Sequence, residues 1–197
     1  MRNNILVLSL ALLALTVFLP DGIAQDKKSS GKRIFDWEKA GDAEGWAGIQ
    51  FEGAKKEFPF IRTVAQSDMN ANTGKGSLEV SIESDISKYE AAGRAEKSFF
   101  GKPEDWSAFK KLTAKFYLTP GSPELEMQLA IQTGDNWQWK DGKAVDGKAG
   151  AWNEVSLDLS GVKNLDKVVS IYFIVRSKKA GFNEKVYLDN VELHESL

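Results

Sequence analysis

The sequence predicts an all-β chain, with two antiparallel sheets packed face to face as a β-sandwich of the jelly-roll kind. Three observations carry this reading: apolar residues recur with period two from Ile34 onward, turn-forming clusters separate the alternating runs, and no stretch keeps a long helical period. About ten short strands without crossover helices bury one face each only if two antiparallel sheets pack together.

The first segment stands outside that fold. Arg2 precedes an apolar run from Ile5 to Leu19, and Gly22 and Ala24 sit three before and just before a cut after Ala24. A positive start, a short hydrophobic stretch and a small-x-small site make residues 1–24 a secretory signal peptide, too short for a comfortable membrane span. An uncleaved anchor helix is the alternative. No Cys follows the cut, which excludes a lipoprotein anchor. Residues 25–33 read as a flexible polar linker, and 34–197 as a single domain.

Within that domain, Ile34–Trp37 and Phe60–Val64 are weak strand candidates. After the turn Asn72-Thr73-Gly74-Lys75-Gly76, the residues Leu78, Val80 and Ile82 alternate with Ser77, Glu79, Ser81 and Glu83. The segment Asp85–Ala92 has room for one or two helical turns, and Ala95–Phe100 is another weak strand. Leu112, Ala114, Phe116 and Leu118 then alternate with Thr113, Lys115 and Tyr117. Beyond the turn Pro120-Gly121-Ser122-Pro123 comes Leu125-Met127-Leu129-Ile131, followed by a turn at Lys140-Asp141-Gly142. Val155-Leu157-Leu159, Val169-Ile171-Phe173-Val175, and Val186-Leu188 running on to Val191-Leu193 complete the set.

Composition narrows function by exclusion. Twenty-six Lys plus Arg against 28 Asp plus Glu give a net charge of −2, without the positive field that nucleic-acid phosphates or an anionic membrane require. No Cys removes disulfides, thiolate zinc sites and cysteine nucleophiles, and a lone His194 removes multi-histidine metal sites. Export without disulfides fits a bacterial envelope or secreted protein, periplasmic or extracellular, stabilised by its core and monomeric.

The aromatic supply needs an explanation: six Trp, four Tyr and 11 Phe. Trp37, Trp46, Trp106 and Trp152 lie in or beside strands, where packing accounts for them. Trp137 and Trp139 instead fall in Asn136-Trp137-Gln138-Trp139, between Gly134 and Asp141-Gly142, and would point the same way if extended. A sugar presents an apolar C–H face and a hydroxyl rim, so an exposed ring beside planar amides suits it. Gln128 and Gln132 occupy the solvent parity of the preceding strand, and Tyr117, Tyr172 and Arg176, with a solvated Lys115, occupy that parity elsewhere. The ligand-binding candidates are therefore Trp137, Trp139, Gln128, Gln132, Tyr172, Arg176 and Tyr117.

Catalytic sets are poor. Asp135, Asp141 and Asp146 fall in a loop rich in Gly and Lys, where solvated turns are the simpler reading than a glycosidase pair. His194 lies four residues from the C-terminus, a frayed position for a general base. The expectation is non-catalytic glycan binding, with an envelope scaffold or protein-interaction module as the alternative and a carboxylate-based polysaccharide hydrolase or lyase as a lesser one.

Several segments, in order along the chain, resemble jelly-roll carbohydrate-binding modules of the galactose-binding-like superfamily. They are Ile34-Phe35-Asp36-Trp37-Glu38 with Glu44-Gly45-Trp46, Gly74-Lys75-Gly76-Ser77-Leu78-Glu79-Val80, and Asp105-Trp106-Ser107-Ala108-Phe109-Lys110-Lys111-Leu112. The closing pair is Trp152-Asn153-Glu154-Val155-Ser156-Leu157-Asp158-Leu159 and Val186-Tyr187-Leu188-Asp189-Asn190-Val191-Glu192-Leu193. The resemblance implies a structural calcium held by Glu38, the backbone around Lys75 and Ser77, and Asp189, with Asp36 as a rival to Glu38. Carboxylates and carbonyls are the hard oxygen donors such an ion takes.

Overall fold

The computed structural model describes residues 31–49, 61–84, 91–177, 179 and 181–197. Twelve strands lie among them: β1 (Lys32–Phe35), β2 (Trp46–Ile49), β3 (Ile61–Ser67), β4 (Ser77–Ser84), β5 (Ala91–Ser98), β6 (Lys111–Leu118), β7 (Leu125–Thr133), β8 (Gln138–Asp141), β9 (Val145–Asp146), β10 (Trp152–Asp158), β11 (Val168–Ser177) and β12 (Phe182–His194). The only helical turn among the described residues is a 3-10 turn, Leu165–Lys167.

The first sheet runs β10-β6-β12-β4-β3 with β1 also on β12, and the second runs β2-β5-β11-β7-β8 with β9 also on β7. Pairing between these strands is antiparallel throughout. The period-two residues of both sheets meet in one core, where Leu78, Ile82, Phe116, Leu129, Ile131 and Phe173 are wholly buried. This is the expected β-sandwich.

The longest strand shows how sequence spacing encodes a bend. Inward residues Val186 and Leu188 are followed by Val191 and Leu193, a step of three where alternation requires two. The structure absorbs the extra residue as a register shift between Asp189 and Glu192, with Asn190 at φ 48°. At that point β12 exchanges its neighbour, pairing β4 through Leu188 and β1 from Val191.

Several local expectations change. β1 starts at Lys32, so Lys32 and Arg33, assigned to the linker, pair with Leu193 and Glu192 and belong to the sandwich. It stops at Phe35, because Trp37 turns left-handed at φ 51° to bury its ring against Phe35 and Trp46. Ala91 and Ala92, offered to a helical turn, open β5. Lys140 and Asp141, read as a turn, pair with Ile131 and Ala130 in β8. Gly142 follows, with its α-carbon so close to β10 that an added Cβ would stand 2.3 Å from the Ser156 carbonyl oxygen. Glycine is required there because strand β8 of one sheet meets the backbone of the other. The signal-peptide reading of 1–24, linker residues 25–30, Phe60 and residues 85–90 lie outside the described residues.

The buried-Trp expectation is met by Trp37, Trp46 and Trp106, at 4% exposure or less. Trp152 departs from it. Half-buried, it lies on the outer face of the first sheet, tilted against Tyr117 at 5.6 Å.

Candidate ligand-binding face

The outer face of the second sheet can be built from register alone. Trp139 on β8 stands opposite Gln132 on β7, which neighbours Ser170 on β11 and then Ser98 on β5. The next row is Asp141, Ala130, Tyr172, Glu96 and Ala47, and the one after it Gln128, Ile174, Arg94 and Ile49. Arg176 follows, opposite Glu126. Side chains two apart on a strand share a face, so all of these point away from the core. Ala130, Tyr172 and Ile174, with Ile49, form an apolar patch separate from the main core, which confirms the parity.

On that patch stands a ring pair. Trp139 packs on Tyr172 with centroids 4.9 Å apart, and the Arg94 guanidinium lies 4.9 Å from the Trp139 centroid and 5.4 Å from that of Tyr172. Burial lowers the Arg94 pKa, with the Tyr172 and Glu96 sides opposing. Burial likewise raises the Tyr172 hydroxyl. Trp139 remains 41% exposed while Tyr172 is 4% exposed, so the indole is the accessible surface and the phenol its support.

The amides have different jobs. Gln128 is buried and donates to Asp141 Oδ2 (3.1 Å) and to the Gly142 carbonyl (2.7 Å), while its oxygen accepts from Arg176 Nη1. Its polar atoms are consumed in fixing the end of β8 against β7, so its expected contact with ligand is replaced by a supporting role. Gln132 accepts from the Tyr172 hydroxyl at 2.5 Å, and among the described residues its amide nitrogen has no partner. That nitrogen beside Trp139 is a donor placed for a hydroxyl.

Two other candidates move away. Tyr117 lies in β6 of the first sheet, flanked by Trp152 and by Tyr187 at 6.4 Å, because β6 pairs β10 and β12. Parity told inside from outside and said nothing about which sheet. Trp137 is exposed, yet it sits in the turn before β8 at φ 54° and stacks on Phe100 at 5.8 Å, so its ring is set by that turn and by Phe100 instead of by an extended run shared with Trp139. Phe100 carried no signal in the sequence beyond ending a weak strand, and Arg94, just before that strand, carried none.

The carboxylates weighed for catalysis are dispersed. Asp135 pairs with Lys167, Asp141 with Gln128, and Asp146 lies on β9 opposite Glu126. His194 ends β12 and shares a 2.8 Å hydrogen bond with Thr113, which makes it a strand-end fastening.

The calcium residues gather at the bend of β12, in an arrangement that supplies positive charge of its own. Asp189 Oδ2 accepts from the Asn72 and Thr73 N–H groups (2.7 and 3.0 Å) and its Oδ1 from Asn190 N–H (2.6 Å). Glu38 accepts from Lys75 N–H (2.9 Å to Oε2) and Gly76 N–H, and the Ser77 hydroxyl donates to the Met69 carbonyl. Arg33 donates to the Thr73 hydroxyl at 3.1 Å and favours the Asp189 charge. Burial raises the Asp189 carboxyl, opposed by those N–H groups and Arg33. A calcium shell needs about six to eight oxygens, whereas each carboxylate here already spends about three of its roughly four lone-pair sites. Among the described residues no three acidic or His side chains converge. So arranged, Glu38 and Asp189 are served by backbone N–H groups, with Arg33 close to Asp189.

A family model described as "Mannanase, galactose-binding domain-like" matches residues 35–190. No curated protein matches the chain. Among solved structures, a study of the promiscuous specificity of β-sandwich carbohydrate-binding modules superposes with TM-score 0.61 at 15% identity, over 84% of this chain and 63% of that one. The chain therefore spans less than two thirds of that structure. Caldicellulosiruptor saccharolyticus CBM27-1, solved with mannohexaose, gives 0.56 at 14% identity over 79% and 94%. The family 11 module of Clostridium thermocellum, solved with a β-1,3-1,4-mixed-linked tetrasaccharide, gives 0.56 at 18% over 84% and 96%. At such identities the likeness is one of fold.

Proposed function

Because this chain belongs to the mannanase galactose-binding domain-like family, whose fold neighbours are carbohydrate-binding modules, we propose that it binds a glycan without catalysis, on the outer face of the second sheet. The carrying observation is the 41% exposed Trp139 indole, seated on Tyr172 beside the Gln132 amide nitrogen, which has no partner among the described residues. A pyranose ring would lay its C–H face on the indole. Gln132 would donate to a hydroxyl, and the nitrogens of Arg176 not used by Gln128 would serve hydroxyls farther along the face. Rigid support matters here, since a ring already fixed by Tyr172 and Arg94 loses little freedom on binding.

The ligand class is a neutral oligosaccharide or polysaccharide. Solved neighbours hold mannohexaose and a β-1,3-1,4-mixed-linked tetrasaccharide, and another is a xylan-binding domain, so mannans and mixed-linkage β-glycans are the first to test, with xylan third. Export by the segment 1–24, a linker to about residue 31, and a monomeric state are part of the same proposal. Affinity electrophoresis against soluble mannan, β-glucan and xylan tests it, with Trp139→Ala alongside. Retardation that the substitution removes supports the reading. Migration unaffected by every polysaccharide sinks it and favours the scaffold role.

A further inference from the structure

We propose that Phe100 and Trp137 form a second aromatic element of this site, a fixed bridge across one end of the second sheet onto which a neutral glycan lying on Trp139 extends. The inference rests on the glycan reading above and adds a residue, Phe100, that neither sequence nor family match singles out.

Strand order makes the contact unusual. Phe100 lies two residues past Ser98, the last of β5, and Trp137 immediately before Gln138, the first of β8. β11 and β7 intervene, which puts the two parent strands three spacings apart, roughly 14 Å. Yet the ring centroids are 5.8 Å apart at 28°. The two side chains therefore lean toward each other over the ends of β11 and β7. Ser98 and Trp139 both belong to the Gln132 row of the face. Each bridging ring stands two residues beyond that row, so the bridge continues the proposed site.

The bridge is held from below. Trp137 N–H donates to the Gly134 carbonyl (3.2 Å) and Gly134 N–H to that of Lys167 (2.8 Å), while Asn164 Nδ2 donates to Gln138 Oε1 (3.1 Å). On the other side Phe99 N–H donates to the Val169 carbonyl and Lys102 N–H to that of Phe99. Trp137 keeps a left-handed φ of 54°, a conformation that is unfavourable for a bulky residue and persists where surroundings impose it.

Exposure points to an occupant. Of the five exposed large hydrophobics among the described residues, Phe100, Trp137 and Trp139 share this corner, Phe100 at 76%. Beside the Trp137 turn, Asp135 is paired with Lys167. Flat exposed rings and continuity with Trp139 suit the apolar face of a neutral sugar further along the same chain.

The test is calorimetric titration of wild type, Trp139→Ala, Phe100→Ala and Trp137→Ala with tri- and hexasaccharides of β-1,4-linked mannose, glucose and xylose. A contributing ring predicts that Phe100→Ala weakens hexasaccharide binding about three- to tenfold and trisaccharide binding less than about twofold. Wild-type binding that Trp139→Ala removes but Phe100→Ala leaves unchanged at both lengths overturns this inference alone. No binding by wild type overturns the glycan reading and this inference with it. Concentration-dependent self-association that Phe100→Ala abolishes, at unchanged sugar affinity, reassigns the bridge as a contact between copies.

Discussion

The outer faces of the two sheets carry similar raw material and put it to different uses. On the first sheet, Trp152, Tyr117 and Tyr187 sit side by side across β10, β6 and β12 in one register row, and their rings lean on one another at 5.6 and 6.4 Å. The charges around them are paired: Lys115 with Glu154 at 2.7 Å and Lys185 with Glu79 at 2.8 Å. On the second sheet the lower ring, Tyr172, is covered, but the upper one, Trp139, faces solvent, and the neighbouring Gln132 amide nitrogen has no partner among the described residues. Aromatic content on a sheet face therefore says little about binding until the partners of each ring are counted.

That contrast can be broken by separating affinity from stability. Trp139→Ala should cost about a hundredfold in glycan affinity, in the range of a central hot spot, with a thermal midpoint close to wild type. Gly142→Ala should destabilise by about 1–3 kcal/mol through overpacking, because the added methyl meets the Ser156 carbonyl. Chemical denaturation measures this, and an unchanged midpoint would remove the claim that β8 is pinned to β10. Gln128→Ala should also cost about 1–3 kcal/mol by leaving buried polar groups unpaired, with a smaller drop in affinity as Asp141 and Arg176 lose their common partner. Trp152→Ala should show the reverse of Trp139→Ala, a stability loss of about 1 kcal/mol and sugar affinity unchanged. Weakened binding in that variant would mean that the first sheet also contacts ligand.

The smallest effects concern charge. Burial raises the Glu44 carboxyl, opposed by the Trp37 N–H that it accepts at 3.0 Å. The folded protein thus holds this proton to a higher pH than the unfolded chain does. Its contribution to stability is complete below the unfolded value and lost as pH rises through the raised folded one. Glu44→Gln should therefore match wild type in acid and be slightly more stable at neutral pH. Chelator should leave the thermal midpoint unmoved if N–H groups and Arg33 alone serve Asp189 and Glu38; a fall on chelation would support the calcium reading.

Much of the fold was legible because burial on one face of a strand writes period two directly into sequence. Leu78-Val80-Ile82 and Leu112-Ala114-Phe116-Leu118 are such records, and the three-residue step from Leu188 to Val191 even marks the bulge. The site was legible in part. Trp139, Gln132 and Tyr172 could be named from parity, but Gln128 reads identically and turns out to be fully engaged. Tyr117 shares the parity of Tyr172 and lies on the opposite side of the molecule. Arg94 and Phe100 could not be found, since their partners are remote in sequence.

By itself the sequence determined that the chain is a two-sheet antiparallel β-sandwich, since alternation and turn chemistry act over a few residues. The tertiary structure alone decided which strands share a sheet, and so which rings meet which partners. It placed Trp139 over Tyr172, Trp137 over Phe100 and Trp152 beside Tyr117. The physical reason is that an outward residue makes its contacts with strands paired across long stretches of chain, and nothing in its own neighbourhood of sequence records that pairing.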